Sequence, residues 1–190
     1  MREPLVLVHH AGETVLLDRS EELSFSVFGG PLEVTCTGLE LPRRLHQIAM
    51  LSHNQVPVLG APRYIFDLPL IYGMRYSGGT LRYSFSREGI VVKSIEPMEA
   101  SDTWPYEGFP DLLPYHPLEK TETIVEDWHA FLERAPNLPE TQPAEVVVLI
   151  PPPFGLGFTL WGRGADAEGV TLVFECDLKS REVVAYNVCS

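Results

Sequence analysis

The sequence predicts an α+β fold that is predominantly antiparallel β, built from meanders and hairpins. Three observations support this prediction. Many short runs alternate between apolar and polar residues, which is the period of a half-buried strand. The chain of 190 residues contains 17 Pro and 15 Gly, which implies many turns and long Pro-rich loops. Only one segment, near residues 123–134, carries a clear helical pattern.

The N-terminal part of the chain is predicted to form four short strands. Clusters of Gly, Asp and Pro separate apolar runs of strand length there. The predicted strands are residues 5–8, 15–17, 24–28 and 32–36. The next segment, residues 41–51, fits a helix or a strand, and we favour a helix because Pro42 suits a first helical turn.

The clearest local pattern lies in the middle of the chain, where two alternating runs flank Gly78-Gly79. A Gly-Gly pair between such runs predicts a two-residue hairpin, since both turn positions need positive φ. The implied register places six apolar side chains on one face, in the pairs Tyr76 with Leu81, Met74 with Tyr83 and Tyr72 with Phe85. A third strand over residues 90–95 follows and completes a meander.

The same register places Arg75 opposite Arg82 on the other face of the hairpin. Like charges directly across a ladder are unfavourable unless an anion or a carboxylate lies between them. Two solvated side chains that splay apart are one interpretation. Contact with an acidic group, including one from the acidic segment of the same chain, is the other.

The main helix is predicted over residues 123–134. Thr121 or Thr123 is a plausible N-cap, and Glu126 would complete a capping box with Thr123. Glu126 and His129 are spaced i, i+3, which points a carboxylate and an imidazole the same way. Metal sites of this type need further helices that the chain lacks, so we expect neither a metal site nor a cofactor.

Three segments complete the predicted architecture. Residues 146–150 form a continuous apolar run, typical of a strand that is buried on both faces. Residues 170–176 and 182–188 read as a C-terminal hairpin. Residues 101–118 contain four X-Pro pairs, so we expect a long irregular loop rather than a helix or a central strand.

Length and composition indicate one compact domain over residues 1–190, with any division near residues 96–120. The three Cys residues form no close pair, which argues against a disulfide scaffold. The N-terminal apolar run is too short for a signal peptide, and no apolar run is long enough to cross a bilayer. We therefore expect a cytoplasmic protein with no membrane partner.

Negative charge is concentrated in the second half of the chain. Residues 1–95 contain nine basic and nine acidic residues, whereas residues 96–190 contain five basic and seventeen acidic residues. The second half thus carries the whole formal charge of −12. Such an asymmetric field attracts a basic protein partner and repels nucleic acid and anionic membrane surfaces.

The segment around residues 104–116 combines aromatic and acidic side chains in a frame stiffened by proline. Aromatic residues make good interface anchors, and acidic residues around them would steer a basic partner. We therefore predict an acidic protein-binding module, such as an inhibitor or immunity-type protein that neutralises a cationic toxin. The predicted partner-binding residues are Glu99, Asp102, Trp104, Tyr106, Glu107, Phe109, Asp111 and Tyr115.

The alternative is a small enzyme. Its pocket would lie between the β-meander and the loop over residues 101–118, and it would hold a His beside a carboxylate. The weak catalytic candidates are His53, His116, Asp102 and Glu107. No nucleophile or phosphate-binding motif supports catalysis, so we favour the binding role.

Overall fold

The computed structural model describes residues 4–60, 66–76, 78–102, 109–134, 137–152 and 170–189. Most of these residues are in β-strands, and a single short α-helix is present among them. The strands are β1 (Val6–His10), β2 (Glu13–Arg19), β3 (Ser26–Gly30), β4 (Cys36–Gly38), β5 (His46–Leu51), β6 (Leu68–Tyr72), β7 (Thr80–Ser86), β8 (Gly89–Glu96), β9 (Leu113–Val125), β10 (Val146–Ile150), β11 (Val170–Asp177) and β12 (Glu182–Cys189). A 3₁₀ turn spans Pro57–Gly60, and the helix α1 spans Trp128–Leu132.

All twelve strands belong to one sheet, in the order β4-β8-β7-β12-β11-β10-β1-β2-β9-β3-β5-β6. Every neighbouring pair is antiparallel except β4 and β8, which are parallel. The antiparallel, β-rich character predicted from the alternating pattern is therefore confirmed. β10 lies between β1 and β11, and all five of its residues are buried, as its continuous apolar run predicts.

Two of the predicted hairpins are present. β11 and β12 pair along their whole length, from Val170 opposite Cys189 to Asp177 opposite Glu182. β7 and β8 pair as the last two strands of the predicted meander, and Gly89 at their turn has a φ of 138°. Only glycine adopts that backbone conformation at little cost, which explains why the turn is placed there.

The predicted hairpin around Gly78-Gly79 is wrong. β6 ends at Tyr72 and pairs with β5, whereas β7 pairs with β8 and β12. The predicted facing of Arg75 and Arg82 is lost with it, since Arg82 lies opposite Ser94 and Val184. Alternation alone indicates which side chains share a buried face, but it does not identify the neighbouring strand.

β6 and β7 meet through side chains instead of a ladder. The Tyr83 hydroxyl donates to the carbonyl of Pro69 at 2.7 Å and accepts from the N–H of Ile71 at 3.3 Å. β6 is the last strand at one end of the sheet, and Tyr83 lies on β7 near the other end. The sheet is thus folded over, and its two ends enclose one large apolar core.

A second, smaller core covers the outer face of the central strands. Phe131 of α1 packs there with Leu7, Leu16 and Val173. His9 belongs to the same layer, because its ring stacks on Phe131 with 4.6 Å between centroids. The short helix therefore serves as a cover for the middle of the sheet.

The helix is much shorter than predicted, and its proposed start is wrong. Thr123 belongs to β9, where it lies opposite Val15, and the N-cap is Asp127, whose side chain accepts from the N–H of Ala130 at 2.9 Å. β-branched residues such as Thr123 and Ile124 favour strands, and pairing with β2 outweighs the helical spacing. Glu126, the expected capping-box residue, forms an ion pair with Arg134 at 3.3 Å.

Two further predictions are corrected by strand pairing. Residues 46–51 form β5, whereas we favoured a helix over residues 41–51. Residues 113–118 are the first part of β9 despite two prolines in that part, so the proline-rich segment is not irregular throughout. Pro117 is tolerated because its missing N–H faces the end of β2, where the pairing stops at Arg19 opposite Leu118.

Within the described ranges, α1 is the only α-helix, and its five residues cover far less than the thickness of a bilayer.

Candidate functional site

A polar cavity of about 460 Å³ opens near the start of β5. It lies between that strand, the turn after β6 and the segment on either side of residues 103–108. The described residues that line it are Arg43, Arg44, His46, Arg75, Asp102 and Asp111. Three guanidinium groups thus face two carboxylates, in a chain whose formal net charge is −12.

Arg75 holds Asp102, Phe109 and Asp111, which belong to an acidic part of the chain, against the sheet. Its guanidinium donates to the carbonyl of Phe109 at 2.8 Å, to the carbonyl of Asp102 at 3.2 Å and to the carboxylate of Asp111 at 3.1 Å. The Arg75 side chain is 18% exposed, whereas that of Asp111 is 88% exposed. Of the two interpretations of Arg75, these contacts support the one in which it binds an acidic group of the same chain.

Arg43 is held at both its main chain and its side chain. The Tyr76 hydroxyl donates to the carbonyl of Arg43 at 2.9 Å and accepts from its N–H at 3.2 Å. The guanidinium lies 2.6 Å from the carboxylate of Asp102. Its Nε atom is buried and has no hydrogen-bond partner in the described part of the chain.

Arg44 is the accessible cation of the cavity. It is exposed, and among the described residues no acceptor lies within hydrogen-bond or ion-pair distance of its guanidinium. Arg44 can therefore turn toward an incoming anion without breaking a contact that these residues make. Arg43 and Arg75, in contrast, are already fixed.

His46 provides a buried acceptor at the cavity wall. The residue is 3% exposed, and its Nε2 lies 3.1 Å from the carbonyl of Pro110. Burial lowers the pKa of His46, so the ring is neutral at pH 7. Because a carbonyl only accepts, Nε2 carries the proton and Nδ1 offers a lone pair. Nδ1 is buried and has no partner within the described ranges.

An apolar groove of about 640 Å³ adjoins the cavity and shares Arg43, Arg44 and Asp111 with it. Its apolar lining includes Leu32, Val34, Leu39, Leu41 and Leu112. Leu112 is 56% exposed, so the groove is open to solvent. Cys36 and Thr37 of β4, the strand at the other end of the sheet from β6, also line it.

Five of the eight residues predicted to bind a basic partner are described, and their contacts do not test that role. Asp102 and Asp111 pair with Arg43 and Arg75, and Phe109 is buried against His46 with ring centroids 5.5 Å apart. Glu99 and Tyr115 lie at the surface. Trp104, Tyr106 and Glu107 lie outside the described residues.

The structure places the catalytic candidates in separate regions. His53 follows the far end of β5 from His46 and contacts Asp67 at 3.1 Å. His116 lies within β9, opposite Phe28 of β3, and burial lowers its pKa with a smaller effect from Arg19. Asp102 is at the cavity, and Glu107 lies outside the described residues. Within the described residues, no contact joins any two of His53, His116 and Asp102.

Neither His46 nor the role of the arginines was predicted from the sequence. Arg43-Arg44 is the only adjacent basic pair in the chain, and this was a usable signal because the pair stands out against a net charge of −12. Nothing in the sequence around His46 indicates that it lines a cavity. Its place at the cavity depends on the pairing of β5 with β6, in which His46 lies opposite Tyr72.

Comparison of the chain with protein-family models, with curated proteins and with solved structures gives no match. The residues that the structure describes contain no group of three or more His, Cys, Asp or Glu side chains placed to hold a metal ion.

Proposed function

We propose that the protein is a binding protein that takes an anionic group of a ligand into the arginine-lined cavity. The observation that carries this proposal is Nε of Arg43, a buried donor without a partner, beside the exposed guanidinium of Arg44. Both residues line the same cavity. A buried polar atom left unpaired costs about 1–3 kcal/mol, so a ligand that satisfies such atoms gains that free energy on binding.

The charges of the cavity support an anionic ligand. Three guanidinium groups and two carboxylates leave one positive charge. The carboxylates of Asp102 and Asp111 are 78% and 88% exposed, so solvent screens them strongly. Arg75 is mostly buried, and its field is therefore screened less than that of either carboxylate.

Binding fits this cavity better than catalysis does. Both carboxylates already pair with arginines, so neither can contact a substrate without giving up part of an ion pair. The proton on Nε2 of His46 is engaged by the carbonyl of Pro110. The enzyme with a His and a carboxylate in a pocket remains the alternative, and its histidine would be His46.

The proposal is tested by titrating isotope-labelled protein with acetate and with inorganic phosphate at constant ionic strength. Two charge-assisted hydrogen bonds, at about 1.5–3 kcal/mol each, correspond to dissociation constants near the millimolar range. We expect saturable shifts of the amide signals of Arg43 to His46. Arg44→Gln should abolish saturation, whereas Arg87→Gln, which removes an exposed charge from the β7–β8 turn, should not. Equal titrations of the two variants would contradict the proposal.

A second candidate function retains the acidic binding module and its basic protein partner. Asp18 lies directly opposite Glu119 in the β2–β9 ladder, an unfavourable pairing that a cationic group would relieve. Leu23 and Phe25, in the connection from β2 to β3, are 94% and 76% exposed. Together these residues combine negative charge with apolar anchors, which supports an inhibitor or immunity-type role at a site other than the predicted loop.

This second candidate has its own test. Capture of partners from a native extract at low salt is repeated with Glu119→Gln and with Phe25→Ser. A basic protein that is lost with either variant and with rising ionic strength would support it. Capture that is insensitive to salt and to both substitutions would exclude it.

A further inference from the structure

We propose that the ligand is the free C-terminal end of a peptide whose last residue is aliphatic. This inference rests on the proposed function, because the carboxylate that enters the cavity is the C-terminal one. Three features of the site select this chemistry: a donor without a partner, an acceptor without a partner, and an apolar groove that begins where the cavity ends.

The two unpartnered atoms require different hydrogen-bonding groups of the ligand. Nε of Arg43 is a donor and needs an acceptor, which an oxygen of a carboxylate supplies. Nδ1 of His46 is an acceptor and needs a donor. Acetate and sulfate ions offer no donor. A peptide C-terminus offers both, because its carboxylate and its last amide N–H are attached to the same carbon.

The groove accounts for the side chain and for the residues that precede it. Leu39, Leu41 and Leu112 line it beside Arg43 and Arg44. A volume of about 640 Å³ falls in the range of sites that hold drug-sized ligands, so it exceeds the need of one aliphatic side chain. Several residues of an extended peptide can therefore lie along it.

β4 lies beside the groove and gives an extended peptide a backbone to follow. This strand ends the sheet and pairs with β8 alone among the described strands, and Cys36 and Thr37 line the groove. Peptides commonly bind by adding a strand at such an edge, with the terminal carboxylate held separately. The arginines would fix the end of the peptide, and β4 would fix its direction.

The test is a titration of the full chain with five probes. They are acetate, 4-methylpentanoate, N-acetyl-leucine, an acetylated tetrapeptide that ends in leucine with a free carboxylate, and the same tetrapeptide as its C-terminal amide. We expect the free tetrapeptide to bind at least about tenfold more tightly than acetate, since one leucine side chain is buried. N-acetyl-leucine should bind more tightly than 4-methylpentanoate, which lacks the N–H. The amide should lose at least about tenfold.

Variants and a spectroscopic signal locate the complex. Leu39→Ser should lower the ratio of tetrapeptide affinity to acetate affinity, and Val125→Ser, on an exposed aliphatic side chain of β9, should leave that ratio unchanged. The ¹⁵N chemical shift of His46 Nδ1 should change with the tetrapeptide and not with acetate, because only the peptide donates to it.

The outcomes separate this inference from the proposed function. If acetate binds with dependence on Arg44 but the tetrapeptide binds no more tightly, the peptide assignment is wrong and the anion site stands. If 4-methylpentanoate matches N-acetyl-leucine, or the amide matches the free acid, the assignment is also wrong. If no probe binds, both proposals fail.

Discussion

The guanidinium of Arg75 lies 3.1 Å from the carboxylate of Asp111, 36 positions further along the chain. The same guanidinium holds the carbonyls of Phe109 and Asp102. The positive charge after β6 thus draws the acidic segment back onto the protein. Part of the negative charge that suggested a basic partner is used inside the molecule.

Replacement of Arg75 should detach this segment. In Arg75→Gln the carbonyl of Phe109 and its neighbours lose a charged donor, so we expect a loss of about 2 kcal/mol in the free energy of unfolding. Asp111→Asn removes only the exposed ion pair and should cost less than about 1 kcal/mol. Urea denaturation of both variants measures the difference. Equal losses would mean that the ion pair, not the main-chain contacts, holds the segment.

Gly29 and Gly12 provide a matched test of backbone strain against crowding. Both have positive φ, +69° and +81°. A Cβ on Gly29 would lie 2.1 Å from the carbonyl oxygen of Pro114, whereas a Cβ on Gly12 would meet nothing within 4 Å. Gly12→Ala should therefore cost about 1–2 kcal/mol from conformation alone.

Gly29→Ala should cost clearly more than Gly12→Ala, because β3 and β9 must also move apart. Thermal unfolding of the two variants gives the comparison. Similar losses of stability in the two variants would show that the backbone of β9 can shift at Pro114 at little cost in free energy.

Stability should fall as the pH decreases below about 6.5. Burial lowers the pKa of His9, His46 and His116 from the ordinary value of 6.5, so the folded chain binds these protons less readily than the unfolded chain. The unfolded state is favoured as the pH passes below 6.5, and the loss continues until the lowered pKa values are reached. Urea midpoints between pH 7.5 and 5 measure this slope.

His9 allows the contribution of one group to be isolated. Glu126 and Asp127 partly offset the effect of burial on its pKa, and His10 adds to that effect. His9→Gln should flatten the pH dependence. An unchanged slope in His9→Gln would contradict the assignment.

The N-cap of α1 should matter although the helix has only five residues. Asp127 accepts from the N–H of Ala130, and α1 carries Phe131 into the outer core. Asp127→Ala should cost about 1 kcal/mol. Asp127→Asn keeps the acceptor and should retain most of that stability, which denaturant unfolding would show. If both substitutions cost the same, the charge of Asp127 would be the important property.

The elements that could be predicted are those whose pattern is local. β10 follows from a continuous apolar run, and β11 and β12 follow from two runs that flank a short polar turn. The turn between β7 and β8 follows from Gly89, because glycine readily adopts the positive φ found there. For β11 and β12, the residues that define each strand also define its neighbour, whereas for β10 the pattern predicts a buried strand but not its neighbours β1 and β11.

The failures occur where distant strands decide the outcome. β6 pairs with β5 and not with β7. Thr123 lies in β9 opposite Val15, although the spacing of its neighbours suggested a helix. The cavity depends on the same long-range pairing, because β5 brings His46 to the segment that contains Pro110. Charge composition suggested a partner of one sign, but only the fold shows which carboxylates are already paired.

The Tyr83 hydroxyl limits the addition to β6 of a strand from a second copy of the chain. By occupying the carbonyl of Pro69 and the N–H of Ile71, it takes main-chain groups of β6 that an incoming strand would use. Among the described strands, β6 is therefore a poorer acceptor of an added strand than β4 at the opposite end of the sheet.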